Sequence, residues 1–222
     1  MVTSSVEAIE FLGQFMTDRR KSLIDQVLDN RTRHLTVVLE DVYKPQNASA
    51  VLRTCECQGI QDLHIIENKH LYEVNPDVVK GAAKWLTLFK YPKSGKDNSI
   101  ECLNELRNKG YHIVAADPKG RKLVSEIDIE SKVAIVFGTE YHGLSDTAKN
   151  LCDELVRIPM SGFTESYNLS VSAAICIETL TSKFRNSSIN WKLSVEEKEV
   201  LKLEWYKNQV RDAEALLMRQ FG

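Results

Sequence analysis

The chain has 222 residues, 43% hydrophobic and 27% charged, with a formal net charge of −2. Those values describe a globular protein of one large domain, or of one domain with helical additions, and exclude a disordered chain. They also exclude a nucleic-acid binder that works by bulk positive charge, so any RNA or DNA surface must be a local patch.

In residues 5–30, Ile9, Leu12, Phe15 and Met16, then Leu23, Ile24, Val27 and Leu28, recur at helical spacing and predict one amphipathic helix. Arg19, Arg20 and Lys21 interrupt it, and Arg31 and Arg33 follow. Two readings of these cations stay open: a solvated helix face, given Asp18, Asp25 and Asp29 nearby, or an arm that contacts phosphates. Next comes an alternating series, with strands predicted at 35–40, 62–66, 85–90, 111–116, 133–138 and 154–158. Helices are predicted at 47–58, 98–109, 144–151 and 168–186. Such alternation predicts an α/β fold, a mostly parallel sheet with helices on both faces. Residues 67–84, punctuated by Pro76 and Gly81, predict a loop with some helix.

From Ser194 to Phe221 the chain predicts a second amphipathic helix, opened by a Ser194–Glu197 capping box. Val200, Leu201, Trp205, Val210, Leu216 and Leu217 form its apolar stripe. Lys202, Lys207 and Arg211 would extend a basic surface, but Glu196, Glu197, Glu199 and Glu204 favour a solvated face. The expected organisation is a basic helical extension over 1–34, a sheet domain over 35–186 and a helical extension over 187–222.

The five cysteines, Cys55, Cys57, Cys102, Cys152 and Cys176, are odd in number and scattered through apolar or helical segments. They read as reduced thiols of a cytoplasmic protein. Cys55 and Cys57 lie two apart in a predicted helix, on different faces, and no second Cys/His pair has ligand spacing, so no metal site is expected. No apolar run of about 18 residues and no signal-peptide core appears, and neither a membrane span nor export is expected.

Three polar stretches share one plan of strand, polar loop and helix: Leu35–Arg53, Val133–Ser145 and Arg157–Ile175. In open α/β sheets, ligands collect beyond the carboxyl ends of strands, so these loops are predicted to converge on one site. In the third, Pro159 and Gly162 break the strand, and Ser166 and Asn168 are candidate helix N-caps at a terminus suited to a polar or anionic ligand. Asn47 is the expected N-cap of its helix. Arg53 lies six residues on among Val51, Leu52 and Cys55, surroundings in which an arginine usually meets a carboxylate or phosphate. Glu140, after Phe137-Gly138, is either a loop cap or that arginine's partner. No Gly-x-Gly, Walker A loop, HExxH or Gly-x-Ser-x-Gly elbow is present, which disfavours an ordinary dehydrogenase, NTPase, zinc protease or serine hydrolase.

Asn47-Ala-Ser-Ala-Val-Leu-Arg53-Thr54, Phe137-Gly138-Thr139-Glu140-Tyr141-His142-Gly143-Leu144-Ser145, and Ile158-Pro159-Met160 with Gly162 and Ser166-Tyr167-Asn168-Leu169-Ser170-Val171 resemble the three motifs of the SpoU family of the SPOUT superfamily. The resemblance runs from about Arg19 to Lys183. It implies an S-adenosyl-L-methionine-dependent RNA 2′-O-methyltransferase, a homodimer, and a deep trefoil knot in the C-terminal part of the sheet domain. The stretch LEDVYKPQN (39–47) and the flanking helices most resemble members that methylate guanosine 18 in the D-loop of tRNA. The alternatives are a ribosomal RNA or another tRNA ribose as acceptor, and an RNA-binding module without catalysis, which the joint retention of Asn47, Arg53, Glu140, Ser166 and Asn168 opposes.

By position in the motifs, the cofactor is expected against the backbone of Gly138, Ile158 and Tyr167, with Asn168 and the turn at Ala115 and Ala116 beside it. Tyr167 stands where the family commonly has Leu, and Leu169 and Ser172 replace a Val and an Ala, which changes the volume of the pocket. Family analogy makes Arg53 a base assisted by an RNA phosphate. An arginine is a reluctant base, however, with a pKa above about 12. The favoured role is to orient the substrate phosphate and stabilise developing alkoxide charge, the phosphate taking the proton. Ser166 and Asn168 would position the ribose, and Asn47 and Glu140 would brace Arg53. Arg19, Arg20, Lys21, Arg31 and Arg33, together with Lys84, are the expected tRNA contacts.

Overall fold

A computed structural model describes residues 5–75 and 81–222. In chain order its elements are α1 (Ser5–Gly13), α2 (Asp18–Leu28), β1 (Leu35–Glu40), α3 (Pro45–Cys57), β2 (Asp62–Ile66) and β3 (Thr87–Tyr91). There follow α4 (Asn98–Asn108), β4 (Tyr111–Ala116), β5 (Lys122–Leu123), β6 (Lys132–Phe137), α5 (Asp146–Leu151), β7 (Glu154–Arg157), α6 (Leu169–Arg185), α7 (Val195–Gln209) and α8 (Ala213–Phe221). A 3₁₀ turn at Ala82–Trp85 supplies part of the helix expected in 67–84. Pro76, in the same expectation, lies outside the described residues.

The chain divides into two compact units, residues 33–191 and a unit made of 1–32 with 192–222. In the larger one, seven strands pair in the order β3-β2-β1-β6-β4-β7-β5, every pairing parallel. Alternation along the strands assigns their side chains to two faces. Val37, Leu39, Ile135 and Phe137 pack with Leu52 of α3 and Ile177 and Phe184 of α6. Val38, Ala134 and Val136 pack with Leu103 and Leu106 of α4 and Ala148 of α5. Both faces are therefore covered, and all six residues of β1 are buried. The short β5 was not expected. It pairs at the far edge with β7, so the segment 117–121 must cross β7 to join β4 to β5. There the backbones touch: a Cβ on Gly120 would stand 2.4 Å from the Val156 carbonyl carbon.

Each predicted terminal helix is in fact two. The first breaks after Gly13, and Thr17 caps α2 by accepting the Arg20 amide at 3.3 Å. The second breaks at Val210–Asp212, where Asp212 has φ +55°. The capping box at Ser194 and Glu197 is present. These helices share one core around Leu12, Leu28, Leu201 and Trp205. Arg31, expected to face RNA, is instead buried in that core, its guanidinium 5.2 Å from the Trp205 ring centre. Its stem and planar head are amphipathic enough to pack on an indole.

Candidate active site

The sheet changes direction of winding between β1 and β6, and their carboxyl ends open the crevice where ligands bind in such folds. Beyond β4, β6 and β7 lies a cleft of about 350 Å³, a size suited to a small molecule. Its walls are the segments 116–119, 137–143 and 156–158, with Lys149, Met160, Glu165, Ser166, Tyr167, Leu169 and Ser172. The 139–143 turn is closed by reciprocal backbone bonds, Thr139 to Gly143 at 3.0 Å and back at 2.9 Å. Gly138 is required by that closure, since a Cβ would lie 2.2 Å from the Gly143 carbonyl oxygen.

Next to the cleft, Glu140 gathers three side-chain donors. Its carboxylate accepts from Lys44 Nζ, from Asn47 Nδ2 at 2.7 Å, and from Asn168 Nδ2. Asn168 Nδ2 also donates to Asn47 Oδ1 at 3.2 Å, while its own Oδ1 accepts the Ser170 amide at 2.9 Å as the N-cap of α6. The bonded Lys44 ammonium holds the Glu140 carboxyl below the usual carboxylate range, against a smaller opposing effect of burial and with help from Asn47. One residue from each of the three motif loops thus meets at a single anionic centre. At the cleft wall, burial alone would raise the Asp117 carboxyl. Lys149 at 2.8 Å and the Lys119 amide outweigh it, and the group sits below its ordinary value.

A buried carboxylate fixes the frame. Glu40, 2% exposed at the end of β1, accepts from Ser145 N at 2.8 Å, Ser145 Oγ at 2.7 Å and Ser99 Oγ at 2.5 Å. Ser145 caps α5 and closes the loop that carries Glu140. β1, α4 and the Glu140 loop are thereby held in one register.

Several expectations need correction. Asn47 is not an N-cap: Lys44 takes that position and Pro45 fills the first turn, where its missing N–H costs nothing. That leaves the Asn47 side chain free to reach Glu140. Glu140 is bonded to Lys44 rather than bracing Arg53, and Arg53 is exposed on α3 with no bonded partner among the described residues. Ala115 is fully buried within β4 and does not reach the cleft, whereas Ala116, Gly138, Ile158, Ser166 and Tyr167 line it. Asn168 stands at the Glu140 centre and not on the cleft wall.

Of the expected RNA contacts, Arg19 and Lys84 are exposed, Lys84 with its ammonium 5.0 Å from the Trp85 ring. Lys21 pairs with Asp18 at 2.7 Å, Arg20 donates to Gln209 at 2.5 and 3.1 Å, and Arg33 donates to Asp62 at 3.0 Å. Sequence reasoning missed Lys44, Asp117 and Lys149. Lys44 had a signal, since it sits inside the polar loop between β1 and α3. Among the described residues no group of metal-ligating side chains occurs, and no helix is long and apolar enough to cross a membrane.

A family model described as the SpoU rRNA Methylase family matches residues 34–178. A tRNA (guanosine(18)-2′-O)-methyltransferase of Borreliella burgdorferi is 42% identical over 209 residues, 93% of each chain. The protein of the same description from Thermus thermophilus is 33% identical over 72% of this chain and 81% of its own. Among solved structures, the TrmH/SpoU tRNA modifying enzyme of A. aeolicus superposes with a TM-score of 0.76 at 26% identity, covering 87% of this chain and 98% of that one. The SpoU methyltransferase AviRb from Streptomyces viridochromogenes, solved in complex with AdoMet, shares the fold at a TM-score of 0.61 and 23% identity, covering 73% of this chain and 65% of its own.

Proposed function

The chain belongs to the SpoU methylase family, and from that premise we propose that it transfers a methyl group from S-adenosyl-L-methionine to the ribose 2′-hydroxyl of guanosine 18 in the D-loop of tRNA. The observation that carries this reading is the convergence of Asn47, Glu140 and Asn168 beside the cleft, with Arg53 exposed on the helix that carries Asn47. Relatives that cover nearly the whole chain bear that activity in their descriptions.

The cleft suits S-adenosyl-L-methionine. Its walls combine apolar Phe137, Val156 and Leu169 with Gly138, Ile158 and Tyr167, and with charged Asp117, Glu165 and Lys119 for the polar ends of a zwitterion. When bound, the cofactor supplies an electrophilic methyl group on a sulfonium. Everything else falls to the chain. A ribose hydroxyl is a weak nucleophile, so its oxygen must be aligned in-line and relieved of its proton. Arg53 binds the phosphate next to that ribose and stabilises the charge growing on the oxygen; the phosphate accepts the proton. Ser166 and Asn168 position the ribose, and Glu140, ionised by Lys44, keeps Asn168 and Asn47 in place.

We infer a deep trefoil knot, supported by the passage of segment 117–121 across β7 and by its close approach at Gly120 and Val156. A homodimer and a cytoplasmic site of action belong to the same proposal. The burial of Cys55, Cys102 and Cys176 suits structural thiols of a reducing compartment.

The test is to incubate the pure protein with labelled S-adenosyl-L-methionine and either unmodified tRNA or ribosomal RNA, and to map the labelled nucleotide. Label on the guanosine 18 ribose is expected. Label on a different ribose would move the substrate, and absence of both label and cofactor binding would leave only an RNA-binding module.

A further inference from the structure

Beside the Glu140 centre is an aromatic pair that the reaction has not used. Tyr43, 37% exposed, stands against exposed His70 with ring centres 4.9 Å apart and planes tilted by 45°. Tyr43 immediately precedes Lys44. That lysine's ammonium bonds Glu140 and lies 5.1 Å from the ring of Tyr141, which is 75% exposed at the rim of the cleft.

The pair is built rather than incidental. Asp41, two residues before Tyr43, is one of two non-glycine residues with positive φ among those described, at +54°. Its buried carboxylate oxygen accepts the amides of Asn68 at 2.8 Å, Lys69 at 2.7 Å and His70 at 3.2 Å, and its own amide donates to the Ile66 carbonyl at 2.9 Å. A residue held in this sparsely populated region persists only where its surroundings fix it, and such residues cluster at functional sites. Here the clamp locks the turn after β1 to the turn after β2, and so sets His70 against Tyr43.

We propose that Tyr43 and His70 form a stacking platform for a nucleobase of the RNA strand that carries the acceptor ribose, with Asp41 as its positioning residue. The proposal rests on the methyltransferase reading above. Exposed aromatic faces next to a cation are the chemistry that single-stranded, splayed-out bases take, because every base has a π-face and an adjoining phosphate. Lys44 is already turned to Glu140, so the platform's contribution is stacking rather than charge. Its place one residue from the centre that holds Asn47 and Asn168 assigns it to the nucleotide being modified or to an immediate neighbour.

The test uses the full chain with Tyr43→Ala, His70→Ala and Tyr43→Phe, measuring dissociation constants for unmodified tRNA and, separately, for S-adenosyl-L-methionine. Each alanine variant is expected to weaken tRNA binding roughly tenfold, the scale of one lost base stack. Cofactor affinity should not change, nor should the salt slope of tRNA binding, because no phosphate contact is removed. Tyr43→Phe keeps the aromatic face and should recover most of what Tyr43→Ala loses. Unchanged tRNA affinity in both alanine variants would overturn the platform, as would a matching loss of cofactor affinity or a failure of Tyr43→Phe to recover binding. The wild-type protein, run in parallel, separates the two levels of the argument. If it methylates RNA while the variants bind normally, only the platform fails; if it neither binds nor methylates RNA, the proposed function fails with it.

Discussion

In the unit formed by the chain termini, Lys198 reaches Asp29 at 2.7 Å, Lys202 reaches Asp25 at 2.6 Å and Lys21 reaches Asp18 at 2.7 Å, while Arg31 is buried against Trp205. In the sheet unit, Arg53 stands exposed without a bonded partner among the described residues, a few positions from Asn47. The terminal segments carry cation runs that stand out when read as a string, yet Lys21, Lys198, Lys202 and Lys207 are each engaged with a carboxylate of the same unit. Arg53, exposed on α3, is left available for a ligand. Local charge density is therefore a poor guide to available charge; the partner that neutralises a cation is often some 170 residues away.

The contrast can be broken experimentally. Arg53→Ala should lower the rate constant for methyl transfer by about a hundredfold or more, the scale of losing a donor aimed at developing charge. Cofactor affinity should hold, and single-turnover methylation near wild type would remove Arg53 from the mechanism. Gly138→Ala attacks the scaffold of the same unit, because its Cβ meets backbone and not a flexible side chain. Calorimetric titration with S-adenosyl-L-methionine should show about a tenfold weaker complex, and an unchanged titration would mean that the 139–143 turn yields easily.

In the other unit, Arg31→Ala should lower stability by about 2 kcal/mol through lost packing and cation–π contact. Its effect on the salt dependence of tRNA binding should be nil; a flatter slope would return Arg31 to the RNA surface. Smallest of all, Lys198→Ala removes a solvent-screened pair with Asp29 and should leave the midpoint of a denaturant titration essentially unchanged.

Much of the sheet was legible because its strands are short apolar runs bounded by polar loops, and β1, β2 and β4 begin and end where predicted. The three loops could be paired in advance because strand ends converge by topology. What could not be read was anything decided at long range. The apolar stripe of residues 5–30 continues across the break at Gly13–Thr17, so periodicity alone gives no reason to stop. Arg31 has the local look of a surface cation, and the Trp205 ring it packs against lies far along the chain. Glu140 stood out in the sequence but its bond to Lys44 did not, since the carboxylate could equally have met Arg53. β5 has two residues, too few to carry a periodic signal.

The crossing of segment 117–121 over β7 also sets an order of events during synthesis. β4 and β5 emerge from the ribosome with a gap between them that only β7 can occupy. The cleft wall likewise takes Ala116–Lys119 from one side of that gap and Arg157–Ser172 from the other. At a few to about twenty residues per second, the second half trails the first by seconds. A nascent chain stopped short of Arg157 would carry the Glu140 loop but no cleft. The ligand pocket is therefore a late product of translation, and its appearance reports that the sheet has closed.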